Sequence, residues 1–391
     1  MRFPEFGGEW EKGSLMNIAS ISKGSGISKE QLSDSGLPCI LYGELYTKYK
    51  SEVITDIYSK TDIETKGLVS SMANDVIIPC SGEAAIEIAT ARCVPMSNIL
   101  LGGDLNIIRL NGHDGRFFAY QLNGKRKIDI AKVAQGVSVV HLYGEHLKKI
   151  NVAYPSFAEQ NKIAHLLSLI DKRIASQNKI IEDLKKLKSA ISYKLFARKD
   201  LLEKQITISE IGILKNGYAF QSSTYNPAGS HKIITIANVS GERYIDVDSY
   251  NCIKKIPDDI QVHQVLKKDD ILISLTGNVG RVSLCAEGNY FLNQRVGLLQ
   301  LKQDVNREYV YQALSSKRFE QTMIACGQGA AQMNIGKGDV ENYTIPYSCN
   351  TLNMEIIAST LKTYDFLMSV EIDRLRLFHQ QKQYLLAQMF I

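Results

Sequence analysis

Three kinds of chemistry can be sought in this chain by residue type and spacing. Methyl transfer to an amine needs an Asn/Asp-Pro-Pro-aromatic motif; Asn226-Pro227-Ala228 lacks the second proline and the aromatic. Metal-dependent cleavage needs Pro-Asp followed by Asp/Glu-x-Lys to hold a divalent ion and activate water. Pro257-Asp258 is present, but no later lysine of that domain has an acidic residue two positions before it. No GxxxxGK[ST] occurs, so a nucleotide-driven motor is unsupported. Gly24-Ser25-Gly26-Ile27-Ser28-Lys29 reads as a turn, and His141 and His146 lie outside any HExxH pattern. The seven cysteines are scattered, odd in number and without a CxxC, so reduced thiols are expected and no metal site. What the chain offers in quantity is hydrogen-bonding side chains beside glycine-rich turns. That is the equipment of a reader rather than a catalyst.

The element that must position these turns is Phe157 to Ala197, which contains no Gly and no Pro. Apolar residues recur at helical spacing: Ile163, Leu166, Leu167, Ile170, Ile174, Ile180, Ile181, Leu184, Leu187, Ile191 and Leu195. A helix of this length exceeds the ordinary globular range and needs a partner for its stripe. The last segment, Glu355 to Ile391, repeats the pattern 194 positions later: Asp171 aligns with Asp365, Ile174 with Met368, Ile181 with Leu375, Leu184 with Phe378 and Lys188 with Lys382. Two such helices can bury their stripes against each other, and an antiparallel pair is expected. Its seam is assigned to Ile163, Leu167, Ile170, Ile174, Ile181, Leu184 and Ile191 on one helix. On the other it falls to Ile357, Leu361, Met368, Leu375, Phe378 and Leu385.

The repeat extends through the globular parts. Ile18, Ile21 and Gly24 match Ile211, Leu214 and Gly217; Asp75-Val76-Ile77-Ile78 matches Asp270-Ile271-Leu272-Ile273; Gln135-Gly136 matches Gln328-Gly329. An offset held between 193 and 195 points to duplication. Each half is expected to be an α+β domain followed by a long helix. The expected segments are 1–155 and 200–348 as domains, with 156–199 and 349–391 as spacer helices. Short helices are expected at Tyr309–Thr322 and Phe117–Asn123.

The chain is 391 residues long, 45% hydrophobic and 22% charged, with net charge +5. No apolar run reaches the ~20 residues of a membrane span, no leader is apparent in MRFPEFGGEW, and a cytoplasmic protein is expected. Between Glu159 and Lys204 there are 11 Lys/Arg against 6 Asp/Glu. This basic excess suits a polyanion or a partner protein, or is simply a solvated face.

Several strings resemble one family. They are RFPEF…WEKGSL, YGELYTKY, DILISLTGNVGR at Asp270–Arg281, LNQRV at Leu292–Val296, and P-S-F-x-E-Q-x-K-I-A…L-F from Pro155 to Phe196. Over essentially its whole length the chain is similar to the specificity (S) subunit of type I restriction–modification systems. It departs from the pattern in having no second RFPEF, and in Asn353-Met354 where the first helix has Glu159-Gln160.

The resemblance implies two target recognition domains, each binding one half of a bipartite site in double-stranded DNA. The helices would set the gap and dock two methyltransferase (modification) subunits, and restriction (motor and nuclease) subunits could join. It also implies no cofactor here: S-adenosylmethionine, and ATP and Mg for restriction, would belong to the partners. Candidate DNA contacts in the first half are then Lys23, Ser25, Tyr46, Thr47, Lys48, Lys50, Ser81, Arg92 and Ser138. In the second they are Tyr218, Gln221, Ser222, Asn238, Thr276, Asn278, Arg281, Arg295, Gln332, Asn334 and Lys337. The alternative is a scaffold or decoy that holds methyltransferase subunits without reading DNA.

Overall fold

The computed structural model describes residues 2–327 and 333–390. It divides into two compact units, Met1–Lys179 with Asp373–Ile391, and Ile180–Ile372. These units cut across the four expected segments, because each takes part of both long helices.

Each unit is built on a four-stranded antiparallel sheet. In unit 1 the order is Ala19–Lys23, Leu105–Leu110, Asp75–Pro79, Arg92–Val94. In unit 2 it is Gly212–Asn216, Val296–Leu301, Ile271–Ser274, Val282–Leu284. The central strands read as unbroken apolar runs because both faces are covered, so alternate residues enter different cores. Val76, Ile78 and Ile108 face the helices, while Ile77, Leu105 and Ile107 face a second cluster with Ile40 and Leu101. Unit 2 repeats this: Ile271, Ile273 and Leu299 lie in one cluster, Leu272, Val296 and Leu298 in the other. A second four-stranded sheet completes each unit, with two two-stranded ribbons in unit 1 and one in unit 2.

A helix lies on each sheet: Gly115–Asn123 in unit 1 and Arg307–Leu314 in unit 2. The single helix expected over Tyr309–Thr322 is two, because Ser315 and Ser316 interrupt it and Ser316 caps a new helix, Lys317–Cys326. Asp114 caps the unit 1 helix; its buried carboxylate accepts from the amides of Arg116 (2.9 Å) and Phe117 (3.4 Å) and pairs with the Arg116 guanidinium (2.6 Å). Asp114→Ala is expected to cost about 1–2 kcal/mol, the range for losing an N-cap. Thermal melting checks this, with Asn306→Ala as the equivalent change in unit 2.

The long helices span Phe157–Phe196 and Thr351–Gln388. In unit 1, Ile163, Ala164, Leu167 and Ile170 of the first share a core with Leu385, Met389 and Phe390 beyond and within the last turn of the second. In unit 2, Ile191, Leu195 and Phe196 join Met354, Ile357, Ala358 and Leu361. Early residues of one helix thus meet late residues of the other, which is the antiparallel sense expected. Each helix also gives its lysine to the other's aspartate: Lys382 to Asp171 (2.6 Å) and Lys188 to Asp365 (2.5 Å). Ile163, Leu167, Ile170, Ile181, Ile357, Leu361 and Leu385 are buried, and Ile174, Leu184, Ile191, Met368, Leu375 and Phe378 half-buried. Ile163, Leu167, Ile170 and Leu385 lie in the core of unit 1 and Ile357 and Leu361 in that of unit 2, so docking of another chain cannot fall to these six.

The start of the chain explains the mismatch between the helices. Arg2 forms a bidentate pair with the buried Glu159 (2.7 and 2.8 Å), and Phe3 lies under Lys162. Gln160 accepts from the Asp114 amide and donates to the Pro155 carbonyl. Unit 2 has no such arm. There Asn353 donates to the Leu201 carbonyl, and Glu203 accepts from the Cys349 amide and the Ser348 hydroxyl. The Cys349 amide holds the Glu203 carboxyl down at about 2. Glu159 and Gln160 therefore serve the first domain's own entry.

Candidate nucleic-acid interface

A subset of the candidate readers, including Lys23, Ser81, Thr276, Arg295 and Asn334, gathers where the loops at one end of each main sheet meet. In unit 1 the Cys80 amide donates to the Asp104 carbonyl (2.8 Å), and the Leu142 amide donates to the Cys80 carbonyl (2.8 Å). Ser81 pairs with His141 across a two-residue ladder, and Gly82 pairs with Val140. Unit 2 repeats the frame. The Leu275 amide donates to the Arg295 carbonyl (3.0 Å), Ile335 to Leu275 (2.9 Å) and Gly277 to Met333 (2.9 Å), while Thr276 bridges Asn334. The strand registers agree: Lys23 opposes Asn106 as Asn216 opposes Gly297. The offset is therefore 191 on this strand, and Asp104 is the counterpart of Arg295.

Two glycines hold the loops this close. A Cβ on Gly24 would lie 2.0 Å from the Gly102 carbonyl oxygen and 2.6 Å from that of Leu101. On Gly217 it would lie 2.2 Å from the Asn293 oxygen and 2.6 Å from that of Leu292. Only glycine permits this approach of two backbones.

The candidates divide by what their side chains already do. Arg92 and Asn238 are buried: Arg92 donates to the carbonyls of Ala91 and Tyr49, and Asn238 to those of Asp246 and Ser249. They brace the fold and are withdrawn as readers. Ser25 accepts from the Val69 amide (2.7 Å), Lys48 pairs with Glu44 and Lys50 donates to the Tyr46 carbonyl. Thr47 donates back to the Gly43 carbonyl. Tyr46 is half-buried with its hydroxyl on the Ser81 carbonyl (3.2 Å), and burial pushes its phenol up. Lys23 is exposed beside Cys80, whose thiol burial pushes up to about 11 against the pull of that ammonium. Ser81 sits on the edge, and Ser138, two residues before the paired Val140, is exposed.

In unit 2, Thr276 donates to the Asn334 Oδ1 (3.1 Å), and Arg295 is exposed beside them. Asn278 is exposed at the tip of the same loop, Arg281 stands 3.8 Å from Glu320, and Lys337 is 3.6 Å from Glu341. Tyr218 donates to Asp259 (2.8 Å), with Gln221 and Ser222 exposed just beyond. Gln332 and Gln328 lie outside the described residues. The candidate readers left out two edge residues, Asp104 and His141, both exposed. The repeat at 193 sets Val139-Val140-His141 against Gln332-Met333-Asn334 in the sequence itself; Asp104 is hidden because its strand runs at 191.

On the long helices Lys185 pairs with Glu242 (2.6 Å) and Lys186 with Glu182 (2.7 Å). Lys172 lines a shallow groove in unit 1 with Leu169, Arg173, Arg374 and Phe378. Large apolar residues outside the seam are exposed: Leu377 (63%) and Tyr384 in unit 1, Tyr193 (78%) and Phe366 (66%) in unit 2. Among the described residues no cluster of His, Cys, Asp and Glu could hold a metal ion, and no helix is long and apolar enough to cross a membrane.

Comparison with known proteins gives a consistent picture. The family described as type I restriction modification DNA specificity domain matches twice, over residues 7–186 and 203–375. The type I restriction enzyme MjaVIII specificity subunit of Methanocaldococcus jannaschii is 24% identical over 357 residues, covering 84% of this chain and 80% of that one. The crystal structure of a type I restriction–modification S subunit from M. genitalium shares the fold, with TM-score 0.62 at 18% identity over 98% of this chain and 96% of that chain. A chain from a structural study of assembly and conformational transition in the type I R-M system superposes with TM-score 0.57 at 14% identity, covering 97% and 96%. With two domain matches spanning nearly its whole length, this chain belongs to the type I restriction–modification DNA specificity family.

Proposed function

We propose that each unit reads one half of a bipartite site in double-stranded DNA, and that the paired helices fix the gap between the halves. The observation that carries this is the edge just described. Two units place exposed side chains on the same hydrogen-bonded backbone frame, yet those side chains differ. Such an arrangement reads two different half-sites with one architecture. Phosphate contacts set orientation while groove contacts set sequence, and exposed lysines such as Lys23 suit the first task.

In this reading the chain performs no bond chemistry and holds no cofactor. Methyl transfer from S-adenosylmethionine, and ATP- and Mg-dependent cleavage, belong to the modification and restriction subunits. Two modification subunits dock on the exposed apolar and basic faces of the helices, around Leu377, Tyr384, Tyr193 and Phe366, because the buried part of the seam is enclosed and these large side chains are not. The protein works in the bacterial cytoplasm.

Genome-wide mapping of N6-methyladenine with and without this chain tests the proposal. A bipartite motif that vanishes on deletion is the expected result. An unchanged methylation pattern in a host where the chain and its modification partner are expressed would overturn it.

A further inference from the structure

We infer that base choice is carried by three equivalent positions on each edge: Ser81, Asp104 and His141 in unit 1, and Thr276, Arg295 and Asn334 in unit 2. The inference rests on the DNA-reading function above and names what each half prefers. The two triplets occupy one backbone frame. Asp104 and Arg295 each give their carbonyl to the residue before the central one, and Ser81 and Thr276 each bridge the third. Asp104, His141, Arg295 and Asn334 are all exposed. In a duplicated unit, equal backbone with unequal side chains marks where the two copies differ in what they bind. The positions that do not differ in type, Gly24 and Gly217, are those where a Cβ has no room.

The chemistry of each side chain then selects a base. Arg295 presents a planar fork of donors, which matches guanine O6 and N7. Asn334 accepts from the Thr276 hydroxyl on one lone pair of Oδ1 (3.1 Å). The second lone pair and the Nδ2 donors remain for the N6 and N7 of adenine. Thr276 is therefore a positioning residue that sets the plane of the amide. Asp104 reverses the sign. A carboxylate repels phosphate but accepts from the N4 amino group of cytosine, and the Ser81 hydroxyl lies 3.4 Å from its Oδ2. His141, at the place of Asn334, has no amide fork and cannot make the bidentate adenine pair. The half-site of unit 2 should contain a guanine and an adenine read by Arg295 and Asn334, and that of unit 1 a cytosine read by Asp104.

The test is selection from a duplex library randomised over both half-sites, using the full chain with its modification subunit. Arg295→Ala should flatten a guanine position and Asn334→Ala an adenine position of one half-site, each losing roughly 5- to 150-fold in preference. Asp104→Ala should relax a cytosine in the other half-site. Thr276→Val should weaken the adenine preference and Thr276→Ser restore it. In every variant the untouched half-site reports that the protein is folded. A variant that lowers binding to all sequences alike, or leaves the motif unchanged, overturns the assignment while the reading function stands. A wild-type complex that enriches no bipartite motif overturns both.

Discussion

Lys382→Met is expected to destabilise unit 1 by about 3–5 kcal/mol, the cost of removing one partner from a buried ionic group. Lys382 reaches Glu52 (2.5 Å) and Asp171 (2.6 Å), with side-chain exposures of 13%, 9% and 8%. The hydroxyls of Tyr120 (2.7 Å) and Ser51 (2.9 Å) also donate to Asp171. Without the ammonium, two carboxylates share a buried site with neutral hydroxyl donors and one remaining cation nearby, the Arg92 guanidinium. Denaturant unfolding of the wild type and variant reads the difference. The triple change Glu52→Gln, Asp171→Asn, Lys382→Met should recover only part of the loss, because the buried Arg92 guanidinium, which both carboxylates attract, is then left without them.

Alkaline pH supplies a second readout. Burial pulls the Lys382 ammonium down, and the attraction of Glu52 and Asp171 outweighs it, so the group sits above its ordinary value of 10.5. A raised folded-state value gives stability that is fully present below the unfolded value and is lost as pH climbs through the folded one. The wild type should therefore weaken above pH 10.5 along a limb that the methionine variant lacks.

The second large effect is expected at Gly24. An alanine methyl there would have to occupy space 2.0 Å from a carbonyl oxygen, and both contacts are backbone. No rotamer relieves such a clash, so the loop must separate from residues 101–102. The expected cost is about 3 kcal/mol, at the upper end of the usual overpacking range. The Gly24 amide donates to Leu105 and the Ser25 amide to Leu101, so both bonds weaken with it. Hydrogen exchange at these amides should rise in Gly24→Ala while unit 2 is unaffected. Gly217→Ala should mirror the result at Tyr218 and Gln294, whose amides close the equivalent loop. Unchanged exchange in both variants would show that the loops tolerate a side chain.

The plan of the molecule was legible because it rests on periodicity. Ile163, Leu167 and Ile170 recur at helical spacing, and the offset of Asp171 and Lys188 from Asp365 and Lys382 anticipates the reciprocal pairs. The runs at Val76–Ile78 and Ile271–Ile273 announce strands covered on both faces. The site was legible only in part. Arg92 has the side chain of a guanine reader, yet three-dimensional packing turns it onto the Tyr49 and Ala91 carbonyls. Asn238 likewise closes its own loop, its Oδ1 accepting from the Thr235 amide and its Nδ2 donating to the Asp246 and Ser249 carbonyls, which residue type alone cannot distinguish from a free amide. Asp104 was not legible because a shift of two residues hides its equivalence with Arg295.

The composition of the two units also has a bearing on how the protein is made. Unit 2 is one continuous stretch of chain, Ile180–Ile372. Unit 1 is not: its principal core includes Leu385, Met389 and Phe390, with the Phe390 ring tilted against that of Phe117 at 5.2 Å between centroids. The first domain to leave the ribosome therefore cannot finish folding until the second has been synthesised behind it. Closing so long a loop is entropically slow, and until it closes the first unit exposes the apolar face that Phe390 covers. Translation order and folding order run in opposite directions here.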